Sequence, residues 1–368
     1  MKSLKNIFIT GSTGFLGMNI LRYILQDDNI YVYLLIRGNS EAEVKKRGWE
    51  IINKIYSKGD SNDRIVKRVN FIKGDVSQFN LGLNKKTREE LFNYVDSIYH
   101  CAALTGFRVS LNEISKANVE GTKNILEFAI KCKKMKRFNY ISTAFIVGNK
   151  NCTFTEKDFD VGQKFNNTYE QTKFEAERLV RKYNKNGLRV SIFRPSIIVG
   201  KYLTGETTNF KMFYEPLHFF SQELFKEVPV DLEVEHNLVP IDAVAEAVCI
   251  LAEKEEKEGT YHIISTDNIK CHHFMDLSAI FFGYNNPKWV PLDKSIMRKF
   301  TPIQKKILIP FIPYFNYKAK FSSKETETIL RKYNFKYPPI NDSFINRLFE
   351  FCNKVGFIKK KKPKSLIN

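Results

Sequence analysis

Short apolar runs alternate with amphipathic stretches through the first half of the chain. The runs Asn6–Thr10, Ile30–Ile36, Val69–Ile72, Ser97–His100, Phe138–Ser142 and Val190–Arg194 are mostly apolar, several nearly continuously so. That is the pattern of parallel strands buried on both faces. Between them, Phe15–Gln26, Glu41–Tyr56, Ser115–Cys132 and Tyr169–Lys185 read as helices. Strand then helix, repeated, predicts right-handed crossovers and an α/β fold built on a doubly wound parallel sheet.

After Pro195 the pattern loosens. Aromatic residues crowd Phe210–Phe225, Asp242–Glu253 reads as a helix, Tyr261–Ser265 as a strand and Ser343–Val355 as a further helix. The apolar stretch Ile303–Tyr317 is broken by Pro310 and Pro313. With no internal repeat and no Gly- or Ser-rich linker, the expected division is residues 1–200 as the main domain, with about 236–265 returning to it. Residues 201–368 then form mainly a smaller, mixed α/β C-terminal substrate-binding region packed directly on the first, with a cleft between.

Composition changes this picture little. Of 368 residues, 43% are hydrophobic and 27% charged, the make-up of a folded chain with ample core. The net charge of +19 fits either an acidic partner or lysines dispersed over solvated faces. The dense run Lys359–Lys362 with Lys364 is read as a solvated tail before a binding tail, and no nucleic-acid motif accompanies it. The six cysteines form no C-x-x-C pair. In Cys271-His272-His273, read as strand, adjacent side chains point to opposite faces, so no metal is expected. The N-terminal apolar run is too short for a signal-peptide core and no stretch is long enough to span a bilayer, so a soluble, cytoplasmic chain is expected. Ile303–Tyr317, interrupted by Lys305 and Lys306, is read as a buried packing segment before a weak peripheral membrane contact. Nothing in the sequence speaks to oligomeric state.

The chemistry begins at Thr10-Gly11-Ser12-Thr13-Gly14-Phe15-Leu16-Gly17, between the first strand and the first helix. Gly11 permits a sharp turn, Gly14 lets the backbone approach a pyrophosphate, and Gly17 lets helix and strand pack closely. The helix N-terminus then offers N–H groups to the phosphates. In this position the three glycines point to a Rossmann-type dinucleotide site. About twenty residues on, the second strand ends in Leu35-Ile36-Arg37. An acidic residue there would suit the ribose of NAD; a guanidinium suits a 2′-phosphate, so Arg37, assisted by Arg47, points to NADP, and NADPH is the expected cofactor, NAD the less favoured one.

Tyr169 and Lys173 stand four residues apart at the start of a predicted helix, on one face. A cation close to a phenol is expected to favour the phenolate and lower the tyrosine pKa, readying it for proton transfer to a substrate oxygen. The fifth strand ends in Ile141-Ser142-Thr143-Ala144, and a hydroxyl at such a strand end can share the substrate carbonyl with Tyr169.

FITGSTGFLG, LLIR, KGDV followed by LGL, HCAALTGF, NVEGT, ISTAFIVG, YEQTKFEAE and FRPSIIVG follow one another from Phe8 to Gly200, and NLVPIDAVAEAV comes later. As an ordered set they make the chain resemble the extended short-chain dehydrogenase/reductases, and among these the fatty acyl-CoA reductase and thioester reductase branch, the male-sterility-protein type. The resemblance implies that Thr13, Phe15 and Leu16 line the pyrophosphate loop, that Asp75 and Val76 flank the adenine, and that Ala102 and Ala103 run under the cofactor. It implies a structural asparagine at Asn118, an approach of Pro195 and Ser196 to the nicotinamide, and contact of Tyr169 and Lys173 with the cofactor as well as the substrate. It gives Thr143, five residues before Gly148, the catalytic hydroxyl, with Ser142 as near competitor and cofactor neighbour. Thr172 stands where serine is more usual, and Asn166-Asn167-Thr168 lacks the proline often found there in the acyl-CoA reductases.

The implied function is NADPH-dependent reduction of an acyl thioester, on CoA or an acyl carrier protein, to aldehyde and on to alcohol, through Thr143, Tyr169 and Lys173. The aromatic stretch Phe210–Phe225 is either the core of the smaller region or the lining of an acyl pocket. Two other readings stand beside this one: an epimerase, dehydratase or dehydrogenase of a nucleotide sugar or sterol-like carbonyl, and a non-catalytic NADP-binding sensor or scaffold.

Overall fold

The computed structural model describes residues 4–56, 65–106 and 108–361. Seven strands form one parallel sheet: β1 (Lys5–Thr10), β2 (Ile30–Ile36), β3 (Val69–Lys73), β4 (Ser97–His100), β5 (Arg137–Ile141), β6 (Val190–Pro195) and β7 (Gly259–Ile263). Their order is β7-β6-β5-β4-β1-β2-β3, every neighbouring pair parallel. The order reverses between β1 and β4, and the crevice beyond the carboxyl ends there is where such sheets hold ligands.

Alternation within strands builds a core on each face of the sheet. Ile7 and Ile9 pack on one side with helices α1 (Phe15–Ile24) and α6 (Ile241–Glu253); Phe8 and Phe138 pack on the other with α4 (Gly121–Ala129). Helices α2 (Glu41–Ile55) and α5 (Thr168–Lys185) begin at Ser40 and Asn167, whose side chains accept the backbone N–H groups of Glu43 and Glu170. Helix α3 (Lys85–Tyr94) gave no periodic signal because only Leu91 on it is buried.

Three features depart from the sequence expectations. The stretch read as one helix from Ser115 is a helix at Leu111–Ser115, a π-helical turn at Lys116–Glu120 and then α4. Cys271 opens a helix, Cys271–Phe282, where a strand was expected. Among the described residues no cluster of metal-capable side chains forms; His273 instead bonds Asp342 at 2.9 Å. Finally, the sheet receives more than Gly259–Ile263 from the second half: Leu330 and Phe335 join the core beside α6, and Thr326 Oγ1 accepts the His262 N–H at 3.0 Å.

The third core belongs to the C-terminal region and is dominated by phenylalanine, with Phe213, Phe220, Phe282, Phe344 and Phe349 buried. Phe145, Val147 and Ile197 of the first half enter it directly. From the aromatic stretch, Phe213, Tyr214, Phe220 and Phe225 are core. Ile303–Tyr317 folds into two short helices, Pro302–Leu308 and Ile312–Phe315, that bury Leu308, Phe311, Tyr314, Phe315 and Tyr317. The lysine run starts by packing back: Lys360 Nζ lies 3.8 Å from the Phe281 ring centre and Lys361 pairs with Glu223 at 2.6 Å. Lys362 and Lys364 lie outside the described residues, as does Phe107. Among the described residues no helix is long and apolar enough to cross a membrane.

Candidate active site

The loop after β1 is shaped by close backbone approach. Gly11 has φ +74°, and a Cβ there would meet the Ala102 nitrogen at 2.5 Å; at Gly17 it would meet the Gly11 oxygen at 2.3 Å. No substitution fits either position without moving main chain. No side chain caps α1, whose N-cap is Gly14, so its first N–H groups are left for an anion. Ser12 Oγ is buried in this loop without a hydrogen-bond partner among the described residues. The uncapped helix and the orphaned hydroxyl fit a loop that receives phosphate oxygens. Thr13 is exposed at its rim.

Thr10 fixes the crevice from below, sharing a 2.7 Å hydrogen bond with His100 Nδ1 and accepting the Ala102 N–H at 3.3 Å. Asn118, inside the π-helical turn, pairs with both backbone groups of Leu104, at 2.7 and 3.1 Å, and donates to Thr172 Oγ1 at 3.1 Å. It thereby ties the loop after β4 to helix α5. Π-helical turns concentrate at functional sites.

A cavity of about 290 Å³ opens from this crevice. Its lining brings together Gly11, Gly14, Phe15, Leu16 and Gly17 with Ala103, Ser142, Thr143, Tyr169, Lys173, Pro195 and Ser196. Thr13, Arg37, Arg47, Asp75, Val76, Ala102 and Asn118 lie outside that lining. Arg37 is exposed at the end of β2, and Arg47 Nη1 donates to its carbonyl oxygen. Asp75 accepts from Ser77 N–H and Oγ at 2.9 and 2.8 Å, and the Val76 carbonyl accepts from Asn124 at 2.8 Å. Ser196 donates to Asn237 at 2.6 Å.

The two candidate hydroxyls at the end of β5 separate by their partners. Ser142 Oγ donates to Glu177 at 2.6 Å and is committed to the interior. Thr143 Oγ1 donates to the Pro195 carbonyl at 3.4 Å, accepts the Phe145 N–H at 3.3 Å, and lines the cleft together with Tyr169.

Tyr169 and Lys173 do lie in one cleft, but not as the expected cation–phenol pair. Lys173 Nζ donates to the Ile141 carbonyl at 2.6 Å and stands 4.2 Å from the centre of the Tyr140 ring. Burial draws its pKa down to about 7, against the pull of Glu177. Tyr169 moves the other way, to about 12: burial raises it, the Thr143 hydrogen bond lowers it, and Glu170 raises it. The i,i+4 spacing sets the face of the helix; where the ammonium points is set by the strand carbonyl.

Residues with no motif complete the cleft. Phe145, Lys211, Met212, Glu215 and Tyr314 line it. Phe145 lay within reach, two positions after Thr143 in ISTAFIVG. Tyr314 is 145 residues from Tyr169, and no spacing could have nominated it. Its hydroxyl donates to Glu170 Oε1 at 2.6 Å and accepts from Asn167 at 2.6 Å.

Comparison with known proteins agrees with this architecture. Residues 9–248 match the family described as male sterility protein. The chain is 29% identical over 294 residues, 77% of its length, to the glycine betaine reductase of Emericella nidulans. It is 26% identical over 277 residues, 66% of its length, to a fatty acyl-CoA reductase of Drosophila melanogaster. These matches span 23% and 53% of those proteins, so the chain covers a quarter to a half of each. Among solved structures, the terminal R domain of the myxalamid biosynthetic pathway superposes with a TM-score of 0.84 at 24% identity, covering 98% of this chain and 94% of that one. The UDP-glucuronic acid 4-epimerase of Bacillus cereus, with its substrate and NAD, superposes at 0.65 and 19% identity, covering 95% and 99%.

Proposed function

This chain belongs to the male sterility protein family, within the extended short-chain dehydrogenase/reductases, and on that premise we propose that it reduces acyl thioesters with NADPH. The observation that carries the reading is the convergence of Thr143, Tyr169 and Lys173 on one cleft with an uncapped, glycine-shaped helix N-terminus.

The glycine loop and α1 would hold the pyrophosphate, Arg37 with Arg47 the 2′-phosphate, and Asp75 and Val76 the adenine. Ala102 and Ala103 would run beneath the cofactor, and Pro195 and Ser196 would bound its nicotinamide side. When bound, the nicotinamide supplies hydride. The work of this chain is done at the carbonyl oxygen. Thr143 and Tyr169, which line the same cleft, receive that oxygen as it gains negative charge. A phenol held up near 12 stays protonated at neutral pH and donates its proton to the oxygen. Lys173, with its pKa near 7 and its ammonium on the Ile141 carbonyl, would hold the nicotinamide ribose and would relay a replacement proton toward Tyr169 across the cleft that both line. The thiol then leaves, giving the aldehyde, and a second reduction gives the alcohol. The relative named as a fatty acyl-CoA reductase and the terminal R domain matched in structure support thioester carriage on CoA or a carrier protein.

The test is loss of NADPH absorbance with acyl-CoA, acyl-pantetheine and acyl-carrier thioesters. Tyr169→Phe is expected to slow turnover by about 10²–10⁴-fold. NADH run alongside is expected to be at least about tenfold poorer, and Arg37→Ala to erase the difference. Two NADPH consumed per thioester identify the alcohol as product, one the aldehyde. Tight NADPH binding with no oxidation by any thioester overturns the substrate class.

A further inference from the structure

A second cavity, of about 320 Å³, adjoins the catalytic cleft and shares Phe145 and Ile197 with it. The dividing wall is built on the catalytic strand end, since the Phe145 N–H bonds Thr143 Oγ1. The Phe145 ring meets Tyr314, on the cleft side, at 5.8 Å between centres. On the other side it meets Tyr317 at 5.3 Å and Phe321 at 5.5 Å, both of which line the second cavity. A carbonyl held at Thr143 and Tyr169 therefore has a single aromatic layer between its outer carbons and that space.

The two cavities differ in chemistry. In the second, apolar wall is supplied by Phe145, Ile197, Val234, Ala319 and Phe321. Two polar atoms in the same wall, His236 Nε2 and Tyr317 Oη, are buried with no hydrogen-bond partner among the described residues. Their side chains are 9% and 8% exposed. Burial draws the His236 pKa down to about 4, against a hydrogen bond to the Tyr314 backbone, so the ring is neutral and its free nitrogen is an acceptor. At the rim, Lys270 pairs with Glu233 at 2.7 Å and Lys318 with Asp231 at 3.3 Å. The remaining rim charges, Glu235 and Lys320, are of opposite sign and exposed. The space thus offers an acceptor and a hydroxyl, with its ionic groups balanced. That combination suits a neutral group able both to donate and to accept.

We propose that this second cavity receives the far end of the acyl group, that Phe145 is the partition it passes, and that the preferred acyl chain ends in a neutral hydroxyl or amide group, not a methyl. The inference rests on the thioester reading and deepens it, and its test separates the two.

The full chain is assayed with NADPH and two pantetheine thioesters, octanoyl and 8-hydroxyoctanoyl. The hydroxyl-ended substrate is expected to show about a tenfold lower KM. Tyr317→Phe, which removes only the hydroxyl, and His236→Phe are each expected to reduce that ratio below about twofold. Calorimetry with the matching octyl and 8-hydroxyoctyl pantetheine thioethers, which have no reducible carbonyl, reads the same preference without turnover. Reduction of both thioesters with equal KM, or a preference that survives both substitutions, overturns the cavity assignment and leaves the reductase reading standing. The thioether preference without reduction of any thioester does the reverse. Absence of both overturns both.

Discussion

Two carboxylates on α5 sit in regions of opposite character. Glu170 and Glu177 are seven residues apart, on one face of the helix, and neither has exposed surface. Glu177 faces the sheet. It takes Arg194 Nη2 at 2.6 Å and Nε at 3.1 Å, Arg181 at 2.9 Å and the Ser142 hydroxyl at 2.6 Å. Burial raises its pKa, but the two guanidinium groups and the serine outweigh this and leave it below the usual carboxylate range. Glu170 faces the C-terminal region and, among the described residues, receives neutral donors: Tyr314 Oη at 2.6 Å and Asn166 N–H and amide at 2.8 and 3.2 Å. There burial wins, and the pKa rises to about 7. With equal burial, the partner's charge decides whether a carboxylate is a permanent anion or a titrating group. The anion ties α5 to the strand ends bearing Thr143 and Pro195; the titrating group ties it to the second half of the molecule.

Breaking the anionic side has the largest expected effect. Glu177→Ala leaves Arg194, itself without exposed surface, with the Asp158 carbonyl and His262 but without its carboxylate, at a cost of about 3–5 kcal/mol. Denaturant unfolding measures it, and a loss under about 1 kcal/mol would show that the pair does not organise this core. Turnover is expected to fall too, because Ser142 and Lys173 lose the charge they lean on.

The titrating side is sharpened by pH. Between about 4.5 and 7 the folded chain keeps a proton on Glu170 that the unfolded chain releases, so rising pH favours unfolding through this window. Glu177 contributes in the opposite sense, its stabilisation being lost as pH falls below the ordinary carboxylate pKa. Lys173 acts above pH 7, where the unfolded chain holds the extra proton and rising pH favours folding. Glu170→Gln is therefore expected to remove a fall of at most about 3 kcal/mol between pH 4.5 and 7. Parallel stability curves for wild type and variant would count against a titrating Glu170.

A smaller change probes the link itself. Tyr314→Phe removes the hydroxyl that lowers the Glu170 pKa and leaves the Asn167 amide a partner short. A loss of about 1–2 kcal/mol is expected at neutral pH, together with an upward extension of the Glu170 window. An unchanged window would mean that Tyr314 packs against the helix without holding its carboxylate.

The first half of the site was legible because its chemistry is local. A glycine whose Cβ would strike backbone at 2.3–2.5 Å must be glycine, and a strand–loop–helix order puts it at the N-terminus of α1. The i,i+4 relation of Tyr169 and Lys173 follows from helix geometry alone. The strands read from apolar runs match β1 to β7 within two residues at each end because burial on both faces leaves a continuous signal. Cys271-His272-His273 was misread because three residues carry no period; the helix that begins there is fixed by Phe274, Met275 and Phe282 packing into the C-terminal core.

By itself, then, the sequence determined the sheet, the loop and which hydroxyls, phenol and amine stand near one another along the chain. Tertiary structure decided everything that depends on what a side chain faces. It turned Ser142 to Glu177 and Thr143 to the Pro195 carbonyl, sent the Lys173 ammonium to the Ile141 carbonyl, and gave Glu170 a tyrosine in place of an arginine. Periodicity records which face of an element is buried. The charge, hydrogen-bonding capacity and dielectric of the group across from it come from another part of the chain, and those are what fix a pKa, a proton's destination and the wall of a pocket.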